Sequence, residues 1–222
     1  DYFIRTIAIG KQFRHIAIAP EKSACARYET EFPQLPSAVE QRIESYLNML
    51  SDYHQWDVQS MECFVQGERL IPFDFTNPMP DSSLVTLHSH FPWFIVNLLK
   101  WQVFRAAIGT HYPRTNRESW LALAGNSEFS QVSRYEKACS RVHKATLADD
   151  YQRFCEQNFR NLDQALMALI NKKSEWIVSM ACEHHLDFEH NKGLVSEITK
   201  RFSIGLKTPS IKPQNPSYET LI

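Results

Sequence analysis

Two predicted β-hairpins, separated by one helix, constrain the fold of this chain more strongly than any other feature. Tyr2–Ile9 and Phe13–Ala19 are rich in β-branched and aromatic residues and flank a short turn at Gly10 and Lys11. Further along, the pair Val58–Val65 and Arg69–Phe75 repeats this pattern. Because short turns join antiparallel neighbours, these segments predict an antiparallel sheet.

The segment between the hairpins has the signals of an amphipathic helix. Ser37 lies at a favourable N-cap position, and Glu40 follows three residues later as in a capping box. Apolar residues then recur at helical spacing as far as Tyr53. A second helix is predicted from Phe91, and its apolar residues lie on most of its circumference, which indicates a buried helix.

The patterning changes after Gly109, where no further strand is predicted. The tail from Lys207 contains three prolines and predicts a segment that wraps the surface or frays. We therefore predict an α+β fold, with an antiparallel sheet and helices in residues 1–108 and an all-helical region in residues 109–222. Helical spacing is found in ESWLALAG, SQVSRYEKACSRVH, LADDYQRFCEQNFRNLDQALMALIN, EWIVSMACEHHL and LVSEITKRF.

The overall composition argues against several classes of partner. The 24 basic and 25 acidic residues give a net charge of -1, whereas nucleic-acid or membrane-surface binding needs a clustered basic excess. No apolar run is long enough to predict a transmembrane helix, and no signal peptide is visible. The five widely spaced cysteines indicate reduced thiols and a cytoplasmic location. The first residue, Asp1, leads directly into a strand, which suggests a fragment of a longer protein.

The second hairpin contains two carboxylates, Glu62 and Asp74, although strands usually disfavour acidic residues. Side chains alternate between the faces of a strand, so the turn length decides whether the two acids share a face. A three-residue loop over Gly67–Arg69 sets Glu62 opposite Asp74, whereas a two-residue loop turns Asp74 to the other face. We therefore predict an odd-length loop, such as a three-residue turn with a bulge.

Two carboxylates facing each other would destabilise a sheet unless their charge is balanced. A divalent cation can balance them, and carboxylate and amide oxygens suit Mg²⁺, which also binds phosphate oxygens. The alternative is that Glu62 and Asp74 form ordinary ion pairs with Arg5, Lys11 or Arg14.

The stretch DVQSMECFVQGERLIPFDFTNPMPD resembles the C-terminal end of the ATP-grasp domain, the superfamily of glutathione synthetase, D-alanine–D-alanine ligase and biotin carboxylase. FIRTIAIGKQFRHIAIAP resembles the preceding hairpin of that domain. FDFTNPMPD followed by FPWFIVNLLKW is similar to bacterial glutathione-synthetase-like ATP-grasp proteins that carry a helical extension. The resemblance covers residues 1–105 and implies the C-terminal half of the domain.

The resemblance implies roles for five residues. Glu62, Asp74 and Asn77 would bind Mg²⁺. Arg5 would be catalytic and would bind ATP phosphate or a substrate carboxylate, and Lys11 is a weaker cofactor-binding candidate. The implied enzyme is an ATP- and Mg²⁺-dependent ligase, in which a small-molecule carboxylate becomes an acyl phosphate and an amine then displaces the phosphate.

Two features depart from the family pattern. Many members have the spacing acid-x-Asn, whereas this chain has Asp74-x-x-Asn77. The N-terminal half, which supplies the lysines and the glycine-rich loop over ATP, is missing from the sequence, so we expect this portion alone to be inactive. The alternative function is a catalytically inactive ATP-grasp-derived binding or regulatory module.

Two histidine-containing motifs invite comparison with zinc sites. HSH holds His88 and His90, and CEHH begins at Cys182 with His190 nearby. Neither motif has further ligands at a spacing typical of zinc proteins, so we predict structural roles for both.

Overall fold

The computed structural model contains one four-stranded antiparallel sheet, as predicted. The strands are β1 (Tyr2–Ile9), β2 (Gln12–Ala17), β3 (Val58–Gln66) and β4 (Arg69–Asn77), in the order β2-β1-β3-β4. Each predicted strand is present with ends shifted by at most two residues. The residues that the structure describes are 2–23, 26–31, 34–109, 117–126, 130–131, 133–138, 148–185 and 192–207.

Helices make up most of the rest of the described chain. They are α1 (Ser37–His54), α2 (Leu84–Leu87), α3 (Phe91–Ile108), α4 (Arg117–Gly125), α5 (Ala148–Asn158), α6 (Leu162–Lys172), α7 (Ser174–His185) and α8 (Lys192–Lys207), with a 3₁₀ turn at His88–His90. The helix predicted between the hairpins is confirmed. The helix predicted in SQVSRYEKACSRVH falls partly, and the tail after Lys207 wholly, outside the described residues. None of the described helices combines the length and apolar composition of a membrane span.

The turn between β1 and β2 lies at Gly10 and Lys11, as predicted, because Ile9 pairs with Gln12. Gly10 has φ +56, and a Cβ there would lie 2.1 Å from the ring of Trp101. The turn therefore requires glycine both for its backbone conformation and for close packing against α3.

In the N-terminal part of the chain, the sheet lies between α1 on one face and α3 on the other. Alternation along β1 sends Ile4 and Ala8 to a core shared with α1, and Ile7 and Ile9 to a core shared with α3. The core shared with α1 also contains the buried Cys63. Burial raises the pKa of its thiol to about 12.

Helices from the second region complete the cores begun by the first. Tyr151 of α5 packs edge-on against Trp101 and Phe104 of α3, within the core that contains β1. The helices α6, α7 and α8 form a third apolar cluster with α2 and α3. The prediction that α3 is buried is wrong for one side, because Leu99 and Val103 are 45% and 47% exposed.

Candidate functional site

The β3–β4 hairpin brings Glu62 opposite Asp74, but not through the loop that the sequence predicted. Gln66 pairs with Arg69, so the turn has two residues, Gly67 and Glu68. Gly67 has φ +57, the positive value that a two-residue hairpin turn needs at its first position. The prediction of an odd-length loop is therefore wrong.

A β-bulge restores the pairing that the short turn would have lost. Cys63 pairs with Pro72 while Glu62 pairs with Asp74, so Phe73 is an extra residue on β4. One extra residue changes which face of the sheet the following side chains occupy. A two-residue turn plus one bulged residue thus gives the same pairing as a three-residue turn.

A second irregularity affects Asn77 in the same way. Ser60 pairs with Asn77, so three steps along β4 correspond to two steps along β3 between the Glu62–Asp74 pair and this one. In a regular strand, residues three apart lie on opposite faces. The register shift places Asn77 opposite Ser60, which shares its face with Glu62. The side-chain oxygen of Asn77 also accepts a hydrogen bond from the backbone N–H of Met79 at 3.3 Å.

β3 lies between β4 and β1, so Glu62 has Asp74 on one side and Arg5 of β1 on the other. Arg5 and Glu62 are register partners, and Arg5 Nε is 4.0 Å from Glu62 Oε1. Arg5 Nη2 donates to Ser60 Oγ at 3.3 Å, and Nη1 donates to the phenol oxygen of Tyr28. Arg5 is only 6% exposed. Its guanidinium therefore holds protein groups together, and its predicted catalytic and cofactor-binding role stays a prediction.

Opposing influences act on the pKa of the Glu62 carboxyl. Burial raises the pKa, the guanidinium of Arg5 lowers it, the Asp74 carboxylate raises it and Arg27 lowers it, with a net rise. The Asp74 contribution means that the two carboxylates repel each other across the hairpin. A cation between them would relieve this repulsion and the cost of burial together.

Sequence reasoning missed three residues of this site, all in loops. Arg27 is exposed and acts electrostatically on Glu62, and Tyr28 is 3% exposed with its ring under the Arg5 guanidinium. Asp81 follows β4. Burial raises the pKa of its carboxyl, but hydrogen bonds from Thr86 and Ser83 and the charge of Arg5 lower it by more, with a net fall. The sequence signal for Arg27 and Tyr28 was weak, because they lie in an irregular segment without periodicity.

The other predicted cations lie elsewhere. Lys11 is in the β1–β2 turn, six residues from Arg5 and so about 20 Å along an extended strand. Its Nζ donates to Asn48 Oδ1 of α1 at 3.0 Å, and burial lowers its pKa to about 8. Arg14 Nε donates to His90 Nδ1 at 3.2 Å. The structure does not bring Lys11 beside the acidic pair, so its cofactor-binding role stays a prediction without geometric support.

The donor set at the hairpin suits a hard cation. Glu62, Asp74 and Asn77 offer carboxylate and amide oxygens, and Mg²⁺ commonly takes one or two carboxylates and completes its octahedron with water and phosphate oxygens. Across the described residues, no group of three or more His, Cys, Asp or Glu side chains is placed to hold a metal ion. His88 and His90 form part of a buried 3₁₀ turn, and the side chains of CEHH after Glu183 lie outside the described residues.

Comparison of this chain with protein-family models, curated proteins and solved structures found no match.

Proposed function

We propose that this chain forms the magnesium- and phosphate-binding part of an ATP- and Mg²⁺-dependent ligase of ATP-grasp type. The reaction would activate a small-molecule carboxylate as an acyl phosphate, which an amine then attacks with release of phosphate. The observation that carries the proposal is the pairing of Glu62 with Asp74 through a bulge, with Asn77 returned to the same face. Bulges are common beside active sites, where they redirect side chains.

The surrounding residues have distinct tasks in this proposal. Glu62, Asp74 and Asn77 would hold Mg²⁺, which supplies charge neutralisation for the phosphate groups. Arg27 is exposed and its charge acts on Glu62, so its guanidinium is accessible to a phosphate or carboxylate, which it would bind through two parallel hydrogen bonds. The buried Arg5 would keep Glu62 ionised and oriented.

A second candidate function has support from the burial of Arg5. The residue that the family resemblance would assign to catalysis is engaged by Tyr28 and Ser60. That arrangement also fits an inactive ATP-grasp-derived module that binds a nucleotide or metal without turnover.

Binding of Mg²⁺ and ATP tests the site itself. Calorimetric titration of the wild-type chain should detect Mg²⁺-dependent ATP binding, and Glu62→Gln and Asp74→Asn should each weaken it by about tenfold or more. Glu68→Gln is the matched control, because it removes a carboxylate from the exposed turn of the same hairpin. Absence of wild-type binding, or equal binding by Asp74→Asn, would refute the proposal.

Phosphate release separates the two functions. The wild-type chain, and a longer form carrying any upstream sequence, would be incubated with Mg²⁺, ATP and a panel of amino acids and small peptides. Acceptor-dependent phosphate release that Asp74→Asn abolishes supports the ligase. Binding without release by either form on every acceptor supports the inactive module instead.

A further inference from the structure

The last of the described helices, α8, contacts the candidate site through a long-range hydrogen bond. Arg201 of α8 donates from Nη1 to the backbone oxygen of Tyr28 at 3.1 Å, across 173 residues of sequence. Its Nε donates to Glu197 Oε1 at 2.7 Å on the same helix, which orients the guanidinium. The Arg201 side chain is only 15% exposed, so water competes weakly for this contact.

The position of Arg201 is fixed by close packing one helical turn further on. Gly205 is four residues after Arg201 and therefore on the same face of α8. A Cβ at Gly205 would lie 1.9 Å from the backbone oxygen of Ser89, so the helix rests directly on the 3₁₀ turn. The same turn also holds the carbonyl that follows that of Tyr28, because His90 Nε2 is hydrogen-bonded to the backbone oxygen of Glu29 at 2.8 Å.

Two consecutive carbonyls, those of Tyr28 and Glu29, are thus held by side chains from the helices. On its other side the segment is bonded to the strand region, since the Glu29 N–H donates to Ala17 O at 2.9 Å. The backbone of Tyr28 is thus held on both sides. Its phenol oxygen accepts a hydrogen bond from Arg5, which in turn faces Glu62.

We propose that Arg201 is a positioning residue for the candidate site, and that the helical region serves to fix the segment carrying Arg27 and Tyr28 against Arg5 and Glu62. Two hydrogen bonds connect these residues: one from Arg201 to the Tyr28 carbonyl, and one from Arg5 to the Tyr28 phenol oxygen. Its effect on metal binding rests on the proposed function, whereas its effect on the Arg27–Glu29 segment does not.

Hydrogen–deuterium exchange tests the positioning without any ligand. Arg201→Met should accelerate exchange of the Glu29 amide by about tenfold and leave the amides of the β1–β3 ladder, such as Ile7, unchanged. Arg201→Lys keeps a donor at this position and should restore at least part of the protection. Arg153→Met is the matched control, since Arg153 is 67% exposed and, within the described part of the chain, pairs with Asp150 on its own helix.

Binding of Mn²⁺, used as a probe for Mg²⁺, provides the second readout. Arg201→Met should weaken wild-type Mn²⁺ binding by about three- to tenfold, less than loss of a direct ligand, and Arg201→Lys should recover part of it. If Arg201→Met does not fold, Arg201→Lys alone decides, with an expected intermediate acceleration at Glu29.

Four results would overturn the inference or separate it from the proposed function. Unchanged exchange at Glu29, or equal acceleration at Glu29 and Ile7, would refute the positioning role. Unaltered Mn²⁺ affinity in Arg201→Met would refute the coupling to Glu62. If the wild-type chain binds no Mn²⁺, the proposed function fails, and the exchange of Glu29 alone then decides the role of Arg201.

Discussion

Mild acid should destabilise this protein through the two histidines of the 3₁₀ turn. His88 is fully buried, and burial, the nearby His90 and Arg201 lower its pKa to about 3. His90 is 2% exposed, and burial and Arg14 lower its pKa to about 4, against a small rise from its bond to the Glu29 carbonyl. Arg14 Nε can only donate, so His90 Nδ1 must accept and its Nε2–H must donate to Glu29, which fixes the neutral tautomer.

The sign and the size of this loss of folding stability follow from proton linkage. An unfolded histidine binds a proton below its ordinary pKa of 6.5, whereas these two stay neutral in the folded protein until about pH 4 and 3. Their contribution to stability is therefore complete above pH 6.5 and is lost as the pH falls towards those values. At pH 5, about 1.5 units below 6.5, each histidine costs about 2 kcal/mol, a large share of a typical total of about 5–15 kcal/mol.

Urea unfolding followed by circular dichroism at pH 7 and pH 5 measures this loss. His88→Asn should reduce the pH dependence by about 2 kcal/mol relative to wild type, and asparagine tolerates the φ of +32 at this position. His54→Gln is the comparison variant: burial and Arg117 also lower the pKa of His54, but the shift is smaller than at His88, so a smaller reduction of the same sign is expected. In wild type, the ring NMR signals of His88 and His90 should not titrate between pH 8 and pH 5.

Equal pH dependence in wild type and His88→Asn would contradict the reasoning. So would titration of either ring near pH 6.5 in the folded protein, a result that does not depend on whether a variant folds.

Two glycine substitutions test close packing, each against a glycine with open space around it. Gly205→Ala should destabilise the protein by about 1–3 kcal/mol in chemical denaturation, because its Cβ would lie 1.9 Å from a backbone oxygen of the 3₁₀ turn, whereas Gly193→Ala on the same helix should be neutral or stabilising. Equal effects would show that the helix does not rest on that turn. Gly10→Ala and Gly67→Ala share the strain of a positive φ, but only Gly10 is packed against the ring of Trp101, so its substitution should lower the melting temperature further.

The elements of the fold with strong local patterning were predictable from the sequence. The four strands and α1 have residue periodicity that located them, although Ser37 is the first residue of α1 and does not cap it, because Pro36 occupies the N-cap position without a side-chain hydrogen bond. The Arg27–Glu29 segment had no such signal, since its conformation depends on contacts with Arg201 and His90, both distant in sequence. Lys11 could not be placed because a turn residue can reach either face of the sheet, and here it reaches Asn48.

The failed prediction of the hairpin loop shows which part of the site is encoded locally. Gly67 and Glu68 favour a two-residue turn, and that turn alone would send Asp74 to the face opposite Glu62. Pro72 does not identify the bulge by itself, because prolines within strands are found at edges, strand starts and bulges, and β4 is an edge strand. Turn length and bulge together determine which face Asp74 occupies, so neither can be interpreted alone. The same reasoning applies to Asp74-x-x-Asn77, where one more extra residue places two side chains that are three positions apart in the sequence on the same face of the sheet.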